Sequence, residues 1–230
     1  MTPPPIREIV DLGTEYFDDM PRHGDQIVAF WPTETYRSAR KYSNRKVAFE
    51  SHMIQMSEHC GTHLDAPYHW DENGATVDRI PLENLVLPGF LLDFSSKRAR
   101  EPITVADFET AERTSGQHIG PGMAIVARTG VDRQWGQEGF KVERPFVPVE
   151  SAAWLVQRKI TLFATDLIGI DDPTQWWWPT HVTFLKGGVP MVQQLCNLDR
   201  LVGKDFHLVV LPWRMRGGTG SPLRPVALVH

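Results

Sequence analysis

His59-Cys60-Gly61-Thr62-His63-Leu64-Asp65-Ala66-Pro67-Tyr68-His69 gathers three of the chain's nine histidines and a carboxylate into eleven positions. Neutral imidazole and carboxylate together suit zinc, manganese or iron, and a bound divalent ion polarises a carbonyl and brings a coordinated water's pKa towards ~7. The cluster therefore predicts a hydrolytic metal centre rather than scattered polar histidines. On a straight strand His59 and His63 would have Cα atoms roughly 13 Å apart, too far for two nitrogens that must each lie about 2.1 Å from one ion. A regular helix is weakened by Gly61 and Pro67, and no HExxH is present. The expected local shape is a bent or bulged strand running into a loop, with Gly61 permitting the bend. Cys60, one position from His59, would point away on extended backbone, and burial is its expected role.

Around this stretch lie short segments rich in branched and aromatic residues and bounded by Gly or Pro. They read as strands over Lys46–Phe49, Gly89–Phe94, Met123–Arg128, Leu162–Thr165 and His207–Leu211. Helices are expected at Thr104–Thr114, where Thr104 caps and Asp107 is the third residue after it, at Ser151–Arg158, and in a short turn opening at Thr180. The class is mixed α/β. A doubly wound dinucleotide fold is disfavoured, because no GxGxxG follows a strand.

The 230 residues, 41% hydrophobic and 23% charged, with no repeat or low-complexity tract, predict one domain spanning 1–230. A net charge of -4 supplies no basic stripe for a phosphate backbone, so no nucleic-acid partner is expected. The acidic N-terminal stretch does not resemble a signal peptide, no run reaches membrane-spanning length, and Cys60 and Cys196 are too few for a disulfide framework. A cytoplasmic protein with reduced thiols, without a membrane partner, is the expectation, although a single disulfide between the two stays open.

The segment His59–His69 matches HxGTHxDxPxH at every specified position, the signature of the cyclase or kynurenine-formamidase-like family of metal-dependent hydrolases. The chain resembles that family elsewhere as well: DLGTEYFDDMP at 11–21, LPGFLLDFSS at 87–96, AIVARTGVDRQWG at 124–136, FATDLIGIDDP at 163–173, HVTFLKGGVPMVQQLCNL at 181–198, and VVLPWRMRGGTGSPLRPVALV at 209–229. The resemblance implies a swivelling β/β/α fold, with a mixed or partly closed barrel-like sheet and flanking helices. It also implies a homodimer or tetramer, and hydrolysis of an amide in a small aromatic or cyclic substrate.

Carried over from the matching motifs, His59, His63 and Asp65 are the metal ligands with Gln193 the fourth, and His69 is the base; His69 as a further ligand is the alternative. In kynurenine formamidases the late block resembles HxxxLLxxxIPIxEN, whose Glu helps to hold a second ion; here that position is Gln193, with Gln194 its rival should the alignment shift by one. A neutral amide offers one weak oxygen in place of a carboxylate, so one divalent ion is expected rather than two. Gln at this position is similar to isatin hydrolases, which the resemblance associates with manganese, zinc remaining possible, and with opening of isatin to isatinate by metal-activated water and a histidine base. An arylformamidase acting on N-formylkynurenine is the alternative. A non-catalytic, metal-containing binding protein for aromatic metabolites is the reading from another class.

His181 follows Thr180, a good N-cap, and would sit in the first helical turn, where the dipole disfavours a protonated ring; the resemblance makes it a second catalytic residue that relays a proton or orients substrate. Trp176, Trp177 and Trp178, with Phe30 and Trp31, are candidates for an aromatic wall against a bicyclic substrate, though large aromatics equally pack cores and interfaces. Arg224 is a candidate to bind a substrate acid group. Lys97–Glu101 and Arg214 to Arg216 read as solvated charge, and the Gly-rich stretch at 214–222 lacks the ending of a phosphate loop.

Overall fold

The computed structural model describes residues 5–24 and 26–230. In chain order its elements are β1 (Glu8–Asp11), β2 (Val28–Glu34), α1 (Tyr36–Tyr42), β3 (Ser51–Met56), β4 (His63–Asp65), β5 (Val86–Asp93), α2 (Val105–Ser115), β6 (Ala124–Arg128), α3 (Val149–Gln157), β7 (Leu162–Thr165), α4 (Pro179–Lys186), β8 (Met191–Gln193), β9 (Phe206–Val209), β10 (Gly220–Pro222) and β11 (Val226–Val229). Nine strands form one sheet in the order β1-β11-β9-β5-β6-β7-β8-β4-β10, while β2 and β3 pair as a separate ribbon. The neighbours from β5 to β8 are parallel and the flanking pairs antiparallel, so the sheet is mixed. It curls into a half-barrel, the partly closed sheet expected.

The central strands β6 and β7 are buried at every position and apolar up to their last residues, Arg128 and Thr165, because both faces are covered. Successive side chains alternate between faces: Ala124, Val126, Leu162 and Ala164 enter one core with Leu64 and Val192, whereas Ile125, Ala127 and Phe163 enter a second with Phe108, Leu155 and Phe184 of the helices. α2 starts as read, Thr104 accepting from Asp107 N while the Asp107 carboxylate takes the Thr104 N–H at 2.7 Å, and Gly116 in the left-handed region ends it.

Three expectations need correction. Lys46–Phe49 is not a strand; β3 begins at Ser51, exposed along nearly its whole length and, among the described residues, paired only with β2. Thr180 does not open its helix: Pro179 holds the first helical position, and the Thr180 hydroxyl donates to Val147 O at 2.7 Å. The bulged strand at the histidine motif is instead a turn over 57–62 followed by the short regular strand β4. Both cysteines are free, and Cys60 is fully buried.

Candidate active site

The period of a strand and one register put three polar side chains together. His63 and Asp65, two apart on β4, share a face, and His63 lies opposite Gln193 of β8. All three are buried. β8 marks where the parallel strands give way to antiparallel β4, and its neighbour β7 leads into the 166–172 loop before α4, so the site lies at the carboxyl ends of parallel strands, as in other α/β sheets.

His59 reaches the same spot because the chain turns back at Gly61, whose φ is 61°; a Cβ there would come within 2.7 Å of the Tyr16 ring. The His59 ring then lies over Gly220, where a Cβ would stand 2.5 Å from His59 Cε1. His59 Nδ1 is 2.6 Å and His63 Nε2 3.2 Å from Asp65 Oδ1.

Outer partners fix which nitrogen of each ring carries a proton. His63 Nδ1 donates to Gly61 O at 2.7 Å, leaving the Nε2 lone pair facing Asp65. The Thr219 hydroxyl spends its single hydrogen on Glu58 Oε2 at 2.5 Å, so at 2.9 Å it accepts from His59 Nε2, and the His59 Nδ1 lone pair also faces Asp65. A carboxylate only accepts, so the amide nitrogen of Gln193 faces Asp65 Oδ2, at 2.6 Å; through its second hydrogen the same nitrogen donates to His181 Nε2 at 3.0 Å, which therefore accepts while His181 Nδ1 donates to Asp171 Oδ2.

Two imidazole lone pairs and a carboxylate oxygen thus converge on one buried space, an arrangement that repels unless a proton or a cation lies between them. Burial opposes a charged His63 ring, but the Asp65 carboxylate, with the Gly61 carbonyl, outweighs it and raises its pKa; burial would raise that of Asp65, yet His63 and His59 hold it well below the usual carboxylate range. The borderline donors that converge, two imidazole nitrogens and a carboxylate, fit a divalent ion of the manganese-to-zinc group, which Gln193 would join through its amide oxygen once the amide turned from the hydrogen bonds its nitrogen makes here.

His69 is carried on a short 3-10 turn over Pro67–His69, its ring stacked on His59 at 4.0 Å between centroids. Ligand atoms of His59, Asp65 and His69 all lie within 4.8 Å of one another. Burial, reinforced by neighbouring His59, depresses the His69 pKa to about 4, so the ring is neutral with a lone pair to offer. His181 Nε2 is 3.8 Å from Asp65 Oδ2.

These residues line a cavity of about 240 Å³ whose walls also include His23, Gln26, Trp70, Ile168, Trp178 and Gln194. Of the five aromatics proposed as its wall, only Trp178 lines it. Trp176 is 80% and Trp177 53% exposed, while Phe30 packs beside Met20 and Cys60, and Trp31 stands on the β2–β3 ribbon. Arg224 pairs with Asp11 at the surface. Gln194, the rival to Gln193, also borders the cavity, but its left-handed backbone takes it off the strand. Sequence reading missed His23, Gln26, Trp70, Glu58, Thr219 and Asp171. Trp70, next to the motif, had a signal; His23 sits in a loop without a pattern, and the partners Glu58, Thr219 and Asp171 are paired only by the fold.

The cyclase family model matches residues 10–172. The chain belongs to the cyclase family. Within it the chain is similar to isatin hydrolase of Roseibium aggregatum, 28% identical over 209 residues covering 82% of this chain and 78% of that protein. It is also similar to kynurenine formamidase of Bacillus mycoides, 24% identical over 217 residues covering 94% and 98%. Among solved structures, isatin hydrolase A from Ralstonia solanacearum superposes with a TM-score of 0.86 at 26% identity, over 97% of this chain and 92% of that one. An isatin hydrolase bound to the product analogue thioisatinate gives 0.83 at 25% identity, over 96% and 92%.

Proposed function

We propose that this cyclase-family hydrolase of amide C–N bonds opens the cyclic amide of a small aromatic substrate, isatin in the first place. The observation that carries the reading is the convergence of His59 Nδ1 and His63 Nε2 on Asp65 with a neutral Gln193 beside them. Isatin hydrolases among the relatives support the substrate. One divalent ion, manganese favoured and zinc possible, held by His59, His63, Asp65 and Gln193, supplies Lewis acidity towards the amide carbonyl when bound.

The chain's own residues supply the rest. Neutral His69 takes a proton from the attacking water; the water oxygen joins the carbonyl carbon, the C–N bond breaks, and the nitrogen leaves as an aryl amine after receiving a proton. His181, its Nε2 lone pair turned inward, orients substrate or carries that proton. Trp178 and Trp70 offer flat apolar surface to the ring.

An arylformamidase acting on N-formylkynurenine is the second reading, favoured by the formamidase relatives and disfavoured by Gln193 in place of a carboxylate. Turnover of isatin and of N-formylkynurenine under matched conditions separates them: a higher kcat/KM for isatin is expected, and the reverse assigns the formamide. Binding of either without product by metal-loaded protein leaves the non-catalytic reading.

We read the chain as one domain, since β1, near the start, pairs with β11 at the end, and as a cytoplasmic protein with free thiols. A homodimer is the assembly we infer: one face of the β2–β3 ribbon and the segment before it expose Trp31, Met53 and Ile27, an apolar surface that a second copy would cover. Light scattering giving twice the 26.1 kDa chain mass is the expected result.

A further inference from the structure

We propose that Asp171 is a positioning residue that sets the tautomer of His181 and thereby aims its Nε2 lone pair into the cavity. The inference rests on the reading of His181 as part of the reaction site. Asp171 is 2% exposed and both of its oxygens are engaged: Oδ1 accepts from Thr180 N at 2.6 Å and Oδ2 from His181 Nδ1. Its backbone is held by Arg144, also buried, whose guanidinium donates to Asp171 O at 3.0 Å and Pro145 O at 3.2 Å. On the far side of the ring, Gln193 donates to His181 Nε2. The two ends agree: an acceptor at Nδ1 and a donor at Nε2 select the same tautomer. A tautomer with hydrogen on Nε2 would set two donors against each other at Gln193 and leave Asp171 facing a lone pair.

Asp171 has a second role that the test must separate, since its bond to Thr180 N also caps α4, whose own N-cap Trp178 makes no side-chain bond. Asp171→Asn divides the two. An asparagine oxygen still accepts from Thr180 N, but its NH₂ then faces His181 Nδ1 and pushes the hydrogen to Nε2.

The first readout needs neither metal nor substrate: long-range ¹⁵N–¹H spectra of metal-free, ¹⁵N-histidine-labelled protein. His181 is expected to show a protonated Nδ1 and an unprotonated Nε2, and the Asn variant a protonated Nε2. The second is turnover of isatin, or of N-formylkynurenine if that is the compound hydrolysed. Asp171→Asn should lower kcat about ten- to hundredfold, with KM, metal content and thermal midpoint close to wild type, and should add no further loss to His181→Gln. A wild-type His181 protonated on Nε2 overturns the proposal even if the variant fails to fold. So does wild-type kcat in the variant, or an Asn effect that adds fully to that of His181→Gln. Failure of both substrates would count against the function proposed above while leaving the tautomer measurement decisive here.

Discussion

Gln193 Nε2 lies 2.6 Å from Asp65 Oδ2, a buried amide donating to a buried carboxylate across the β4–β8 pairing. The bond satisfies one oxygen of Asp65 and leaves the other to the two histidines, so a single carboxylate, not two, sets the charge at the centre of the site.

Gln193→Glu should change both stability and metal count. A second carboxylate beside Asp65 is a like charge in a buried place, and the metal-free variant should lose about 2 kcal/mol or more, read as a lower midpoint in urea. With excess manganese the same variant should bind more than one equivalent by elemental analysis. One equivalent in the variant would break the link drawn here between Gln193 and a single ion.

Gly220→Ala tests whether the sheet holds the His59 ring in place. The added methyl would stand 2.5 Å from His59 Cε1 and 2.8 Å from Leu64 O, so ring and strand cannot both stay. Overpacking of this kind costs about 1–3 kcal/mol, and a displaced ligand should weaken metal affinity at least about tenfold. Titration calorimetry with manganese reads the second effect; unchanged affinity would show that His59 has no part in binding the ion.

His69→Ala and Asp65→Ala should part company. His69→Ala is expected to keep its metal and lose about a hundredfold or more in kcat, the usual worth of a general base. Asp65→Ala should lose metal and activity together. Loss of metal in both variants would turn His69 into a ligand.

The thiols give a pH prediction away from the site. Burial, reinforced by the Asp132 and Asp11 carboxylates, pushes the Cys196 thiol from 9.0 up to about 11. At pH 8 this leaves about a hundredfold less thiolate than an ordinary cysteine, so alkylation by iodoacetamide, followed by mass spectrometry, should climb only towards pH 11. The folded state keeps a proton that the unfolded chain releases between these two values. The stability Cys196 contributes is therefore fully present below pH 9 and lost as pH rises towards 11. An alkylation rate inflecting near pH 9 would contradict the assignment.

Much of this was legible in the chain. The β6 and β7 segments announced themselves as apolar runs because both faces are covered, β5 did so through the stretch Gly89–Leu92 between its exposed ends, and α2 through its Thr104–Asp107 box. The histidine motif named residues that do converge, but a repeat of two hid inside it: His63 and Asp65 face one way because β4 is a regular strand, while His59 joins them from a turn. β3 was missed because SHMIQM lies almost wholly in solvent and carries no alternation to read. The start of α4 was misplaced because its cap comes from Asp171, outside the helix, and not from Thr180. His23, Glu58 and Thr219 gave no signal, since their partners are set only by the fold.

The most direct test is hydrolysis of isatin by the purified protein, followed as loss of its visible absorbance, before and after chelation and again after manganese is restored. Turnover that disappears on chelation and returns with manganese is the predicted result. Turnover that survives complete removal of metal, or none in protein carrying a full equivalent of manganese, would contradict a single-metal cyclic-amide hydrolase built on His59, His63, Asp65 and Gln193.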